Sequence, residues 1–288
     1  MTGCSMTMRF WGTRGGIARP GPETVELGGN TTCLQLELGQ DEPLLIDCGT
    51  GIIEYARAGA GLSDHHHFHL LITHFHWDHV LGFPFFFPIH SPEATIHLYA
   101  PFDEAVILEH VGALFDGTYS PLLDMGNLPA TIEIHQLGQE RAEIAGVAVS
   151  CCPTDHTDPC FAYRFERDGR TLCVVTDHET RDNDANDQLA EFMTGADLLV
   201  HGAQFTEEQY LSDFEGSGHS SIQRAIATDE QVGAGRLLLT HHHPLHSDDR
   251  LRLHLARVLR QHPRPMPVEL AREGRGYDVA ARRDSPPS

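Results

Sequence analysis

Thr73-His74-Phe75-His76-Trp77-Asp78-His79 stands immediately after the apolar run 68–72. His74 and His76 are two apart, so a chain still extended as it leaves a strand points both rings to one side. Asp78 and His79 follow where the chain must turn, and adjacent side chains diverge there. That pair can face a second ion while the first two imidazoles face another. Imidazoles with a single carboxylate suit zinc first and leave manganese and iron open. The chain holds 21 His, so the competing explanation is a chance cluster of solvated rings. With His and Asp each at about 7%, such a four-residue match arises by chance in roughly 0.7% of chains of this length. The stretch is therefore read as a metal site.

The cluster resembles the signature of the metallo-β-lactamase superfamily, and flanking residues narrow the resemblance. Trp11-Gly12-Thr13-Arg14-Gly15-Gly16, Gly28-Gly29-Asn30-Thr31-Thr32-Cys33, Asp47-Cys48-Gly49-Thr50-Gly51 and His79-Val80-Leu81-Gly82-Phe83-Pro84-Phe85-Phe86 are similar to its phosphodiesterase and tRNA 3′-processing branch. The likeness runs from about residue 8 to about residue 250. It implies an α/β protein, the four-layer αβ/βα sandwich of the metallo-β-lactamase fold, with metals at the sheet edges. A single domain over 1–280 is expected, followed by a polar, disordered tail at 281–288.

Composition sets further bounds. A chain of 288 residues with 40% hydrophobic and 21% charged residues is soluble and globular and can bury a real core. No run approaches the roughly 20 apolar residues of a membrane span, and no basic stretch followed by an apolar one marks a signal peptide. Seven Cys without a Cys-x-x-Cys pair point to reduced thiols and a cytoplasmic setting; Cys151 and Cys152 are expected to pack in a strand. Net charge is −21, and all 20 positive side chains are Arg. Tracking a long nucleic acid needs a basic face. The expected partner is thus a small anionic substrate held by two cations and one or two Arg, with no long nucleic acid and no membrane. Relatives by resemblance are often dimers, which leaves a homodimer open.

Along the chain, strands are predicted at 8–11, 32–38, 44–46, 68–73 and 96–99, then at 132–137, 147–151, 160–165, 171–176, 197–201 and 236–240. Helices are predicted over 52–58 with Thr50 as cap, 103–114, 220–228 and 248–260. Gly28-Gly29-Asn30 is either a plain turn or a set of amides near an anion. His65, His66, His67 and His69 are expected as exposed loop residues rather than ligands. The run 83–87 is core or pocket wall, and 116–128, without periodicity, is a loop of the length that often covers a site.

Carried over residue by residue, the resemblance implies that His74, His76 and His156 hold one metal, and Asp78, His79 and His241 the other, with Asp177 bridging. The cofactor is then two divalent ions, zinc before manganese or iron. Such a pair lowers the pKa of a shared water toward about 7 and neutralises phosphoryl oxygens. Asp47 either supports a metal-bound His from behind or is a turn residue. His178, His242 and His243 are placed as neighbours. Asp78 is counted as catalytic as well as ligating. His219, in Gly216-Ser217-Gly218-His219-Ser220-Ser221, resembles the catalytic His that protonates the leaving alkoxide; the alternative is a His beside a helix start capped by Ser220.

Two departures from the tRNA-processing pattern stand out. Gly202 occupies the position of the acid that orients this His, which leaves another group such as Glu179 to orient it, or the His to act only by binding phosphate. His156 and Asp177 lie only 21 positions apart, and Glu166-Arg167-Asp168-Gly169-Arg170 fills the interval as a tight hairpin, so no tRNA-gripping arm fits there. The function expected is a binuclear hydrolase of a small phosphodiester, a cyclic nucleotide or related cyclic phosphate, using a metal-bridging hydroxide. The rivals are a thioester or lactam hydrolase on the same fold, resembling glyoxalase II or a β-lactamase, and a metal-binding sensor or scaffold without turnover.

Overall fold

In the first strand, Thr7–Gly12 (β1), Met8 and Phe10 are fully buried while Thr7 and Arg9 are half-exposed, the period-2 pattern of a sheet with one covered face. The computed structural model describes residues 6–39, 42–59, 65–117, 124–138 and 140–280; the predicted tail at 281–288 and residues 118–123 of the predicted loop lie outside them. β1 is followed by Cys33–Glu37 (β2), Leu44–Ile46 (β3), Gly51–Arg57 (α1), His67–Leu71 (β4), Trp77–Val80 (α2), Thr95–Ala100 (β5), Glu104–Ala113 (α3) and Thr131–Gln136 (β6). The second half holds Ala142–Ile144 (β7), Val147–Pro153 (β8), Phe161–Arg167 (β9), Arg170–Val175 (β10), Asp184–Met193 (α4), Leu198–Gly202 (β11), Glu207–Gln209 (α5), Ile222–Val232 (α6), Leu237–Thr240 (β12), Asp248–Gln261 (α7), Val268–Leu270 (β13) and Gly276–Asp278 (β14).

These form two seven-stranded sheets, β14-β1-β2-β3-β4-β5-β6 and β13-β12-β11-β10-β9-β8-β7. In each, one end is antiparallel and the other, from β3 to β6 and from β10 to β13, is parallel. Met8, Phe10, Leu36, Phe165, Val174 and Val200 belong to the apolar layer between the sheets. Ile52, Phe68, Leu70 and Ile107 form a second layer beneath α1 and α3, and Val175, Leu199, Ile226 and Leu255 a third beneath α4, α6 and α7. The result is the expected αβ/βα sandwich. Parallel strands place their loops at one end, so β4, β10, β11 and β12 all deliver their C-terminal residues to one rim.

Several local expectations are corrected. Thr50 does not cap α1; its hydroxyl bonds Asn30 and Thr31 across the loop instead. His67 and His69 lie in β4 rather than in a loop, and His69 is buried against Glu42 and Tyr99. Asn30 donates its N–H and side-chain amide to Glu273, so the 28–30 turn does face an anion, an internal one. Within 83–87, Phe83 and Phe86 are core while Phe85 and Phe87 are 48% and 64% exposed. Phe85 lines an apolar groove with Trp77, Leu81 and Leu114, so the run is core and wall in alternation.

Candidate metal centre and active site

The end of β4 sets the geometry. Beyond Leu71 the chain bends at Thr73 and reaches His76, whose ψ of 148° precedes the single turn of α2. The turn swings Asp78 and His79 away from His74 and His76, as adjacent positions at a strand end require. Side chains from the far sheet close the space: His156 after β8, Asp177 after β10, His219 before α6 and His241 after β12. All seven expected ligands thus meet at one rim, within a few ångströms of one another. One nitrogen each of His74, His76 and His156 clusters on one side; Asp78, His79 and His241 cluster on the other; His74, His79 and Asp177 form a third group joining the two. His219 shares a group with His156 and Asp177.

His74, His76, His79 and His156 are each fixed from behind, whereas His241 Nδ1 is buried without a partner. His79 donates Nδ1–H to Asp47 at 2.7 Å, His156 donates Nδ1–H to the Gly218 carbonyl at 2.8 Å, and His76 Nε2 meets Asp158 at 2.8 Å. Thr73 Oγ1 donates to Asp47 and stands 3.0 Å from His74 Nδ1. With the outer nitrogen engaged in each, the inner one is left as a lone pair facing the centre. From the sequence neither Asp158 nor Thr73 has an assigned role; their position two residues and one residue from a ligand is the signal that would have found them.

Lone pairs crowd this centre. His74 Nε2 and Asp177 Oδ2 are buried without a hydrogen-bond partner, although Asp177 Oδ2 lies 3.2 Å from His79 Nε2. Asp177 Oδ1 is 3.4 Å from His241 Nε2 and 4.0 Å from His74 Nε2, and Asp78 Oδ2 is 3.0 Å from His241 Nε2. Such convergence of unsatisfied lone pairs is costly unless a cation neutralises it. Burial opposes charge on His79, but Asp177, Asp78 and Asp47 outweigh it and hold His79 well above the ordinary imidazole range. Asp177 is held well below the carboxylate range by His241 and His79, again against burial. The donor set and its orphaned atoms fit divalent metal ions of the imidazole-preferring class.

Backbone strain concentrates here. Asp47 and His241 adopt φ of 61° and 55°, left-handed conformations that few non-glycine residues hold and that cluster at functional sites. Gly218 has φ 81°, and a Cβ there would stand 2.3 Å from His156 Nδ1. At Gly202 a Cβ would lie 1.8 Å from the Thr176 carbonyl, so no acidic side chain fits that position.

His219 is oriented otherwise. Its Nδ1 is 3.4 Å from Asp177 Oδ1, and its ring stacks on His241 at 5.1 Å. Glu179 does not touch the ring, contrary to expectation. It accepts from Gly216 N–H, Gly218 N–H and Tyr210 O–H at 2.6–2.8 Å, fixing the loop that carries His219. Burial, opposed by Asp177, brings the His219 pKa down to about 3. The cap of α6 is Ser221, which accepts from Arg224 N–H; Ser220 instead donates to the His178 carbonyl. His178 accepts from Asp155 N–H, His242 is buried beside Arg14, and His243 packs on Phe205 and Phe214. None of these three joins a metal-ligating group among the described residues.

A family model for the Beta-lactamase superfamily domain matches residues 43–242. Ribonuclease Z of Mycobacterium tuberculosis is 30% identical over 223 residues, which cover 70% of this chain and 76% of that protein. The fold is shared with the metallo-beta-lactamase fold protein YhfI of Bacillus subtilis, at a TM-score of 0.71 and 20% identity over 96% of this chain and 99% of that one. It is shared also with human tRNase Z, short form, at 0.66 and 20% over 96% and 100%. The expected exclusion of long nucleic acids is thereby overturned, since the sequence relative is a ribonuclease. The physical reason is that net charge sums the whole surface, whereas a phosphate senses charges within a Debye length of about 10 Å. The described residues hold no helix long and apolar enough to cross a membrane.

Proposed function

The chain belongs to the β-lactamase superfamily and is a metal-dependent hydrolase of that fold, and from this premise we propose that it cleaves phosphodiester bonds, with RNA as the substrate class its ribonuclease relative indicates. The observation that carries the proposal is the set of imidazoles, four of them locked from behind, turned with Asp177 onto one space. His74, His76 and His156 would hold one divalent ion and Asp78, His79 and His241 a second, with Asp177 between them and zinc favoured by the donor set. When bound, such a pair supplies Lewis-acid chemistry, activating water near neutral pH and neutralising charge on phosphoryl oxygens.

The chain's own residues supply the rest. Gly16 N–H donates to Asp78 Oδ2 at 2.6 Å and fixes that carboxylate. His219 turns Nδ1 to Asp177; neutral at ordinary pH because burial depresses its pKa to about 3, it would act at Nε2 by first accepting a proton from the attacking water and then passing it to the leaving oxygen. Glu179 positions His219 through the loop: Glu179→Gln is expected to lower turnover about tenfold or more, and to cost nothing further in a His219→Ala background. Additive losses in that double-mutant cycle would show Glu179 acting elsewhere.

A cyclic nucleotide or related cyclic phosphate is the second substrate reading. It is supported by the interval between His156 and Asp177, where β9 and β10 pair directly through Asp168-Gly169 and leave no arm at that place. A cytoplasmic setting goes with either substrate, and the six described cysteines, all unpaired, support it. The test is turnover by zinc- and manganese-loaded protein, with His76→Ala as blank. The panel holds bis(p-nitrophenyl) phosphate, a tRNA precursor, 2′,3′- and 3′,5′-cyclic nucleotides, a chromogenic cephalosporin and a glutathione thioester. Cleavage of phosphodiesters, lost in the variant, is expected, and the ratio of RNA to cyclic turnover chooses the substrate. Activity on the lactam or thioester alone would overturn the proposal.

A further inference from the structure

Away from the rim, His67, His69, His97, Glu133 and His135 meet on one face of β4, β5 and β6. Register sets His69 beside His97, His97 beside Glu133 and Tyr99 beside His135, and alternate residues of a strand share a face. The opposite face carries Phe68, Leu70, Ile96, Leu98 and Ile134, packed under the helices. The polar face is half-open, with His97, His135 and Glu133 side chains 15%, 37% and 49% exposed. About five strand positions of roughly 3.3 Å separate the His69–His97 line from His74, so this cluster is distinct from the candidate active site.

Its geometry is that of a ligand set. His97 Nδ1, His135 Nε2 and Glu133 Oε2 form a triangle with sides of 3.2, 3.7 and 3.1 Å. Ligand atoms about 2.0–2.1 Å from a tetrahedral zinc stand roughly 3.4 Å from one another. The other nitrogen of His97 is 2.9 Å from His67 Nδ1. When His97 Nε2–H donates there, its Nδ1 becomes a lone pair aimed into the triangle. The Glu133 carboxylate offers only lone pairs as well. A single proton on His135 Nε2 then serves the two edges at His135 and leaves the 3.1 Å edge between His97 and Glu133 as lone pair against lone pair. One cation at the centre satisfies all three atoms.

The rings are held for this. His67 lies edge to edge with His97, ring centroids 5.2 Å apart, His69 stacks on His97 at 4.8 Å, and His135 stacks on Tyr99 at 4.6 Å. His69 itself is occupied by Glu42 at 2.7 Å and Tyr99 at 3.1 Å, which makes it a support rather than a ligand. We propose that His97, Glu133 and His135 bind one divalent transition-metal ion of the zinc class, joining β5 to β6, with water completing the coordination and His67 and His69 fixing the His97 ring.

The test is zinc content per chain, measured by mass spectrometry after metal-stripped full-length protein is equilibrated with buffered free zinc. Wild type is expected to hold one more zinc than H97A/H135A, and His74→Ala/His76→Ala is expected to keep that additional ion. Because the readout is a difference, metal failure at the active site would lower both proteins alike and leave it intact. Glu133→Gln, isosteric and half-exposed, is expected to lose the same ion with hydrolytic activity and circular dichroism unchanged. Equal zinc in wild type and H97A/H135A, or full retention in Glu133→Gln at the same free zinc, overturns the proposal.

Discussion

Asp177→Asn is expected to lower turnover of an activated phosphodiester by a factor on the order of a hundred to a thousand, with the fold intact and the metal content reduced. Asp177 is 1% exposed at the end of β10, and its two oxygens face His79, His241, His219 and His74 at 3.2, 3.4, 3.4 and 4.0 Å. It is the only carboxylate among the described residues to approach both halves of the proposed site. Asparagine keeps the volume but replaces an anion with a neutral amide, one end of which is a donor that cannot ligate. Metal content by mass spectrometry and turnover at saturating zinc check the two parts separately. Wild-type turnover in Asp177→Asn would remove this residue from the centre and with it the two-ion arrangement.

Arg14→Met is expected to destabilise the protein by about 3–5 kcal/mol, read as a fall in the denaturation midpoint. Arg14 is fully buried and ion-paired to Asp248 at 2.9 Å. It also donates to the carbonyls of Gly28 and His246 at 2.7 and 2.6 Å. Burial lowers its pKa, with Asp248 and Glu273 opposing. The substitution leaves the Asp248 carboxylate buried with, among the described residues, only the Glu26 and Leu27 N–H groups as partners, at 2.7 and 3.2 Å. It also frees the 243–248 segment directly after His241, so metal content is expected to fall with stability. A change within about 0.5 kcal/mol, the range of ordinary surface substitutions, would show that this buried pair holds nothing.

Most strands were legible because their periodicity is local. The predicted strand at 44–46 is β3, and those at 96–99, 147–151 and 236–240 fall on β5, β8 and β12 with no end shifted by more than two residues. Helix α4 escaped because its opening Asp184-Ala185-Asn186-Asp187 reads as turn chemistry; tertiary burial of Leu189, Ala190 and Met193 makes it a helix. Strands β13 and β14 are three residues each and exist through pairing with β12 and β1, which nothing in their own sequence announces. The exclusion of long nucleic acids failed for a related reason, since a total charge carries no information about where the charges lie.

By itself the sequence determined that a cluster of metal-ligating side-chain types follows β4, because His-x-His-x-Asp-His is a local motif that a strand passing into a turn displays. The family resemblance extended this to His156, Asp177, His219 and His241 in order. Only the tertiary structure decided which partners lock each ring. That Asp158 backs His76, that Glu179 holds the loop of His219 rather than its ring, and that Ser221 caps α6 in place of Ser220 depend on approaches between segments 37 to 82 residues apart in two of the three cases. The His97–Glu133–His135 triangle is of the same kind. Its members are dispersed over two strands, and parallel register alone brings their lone pairs to one point.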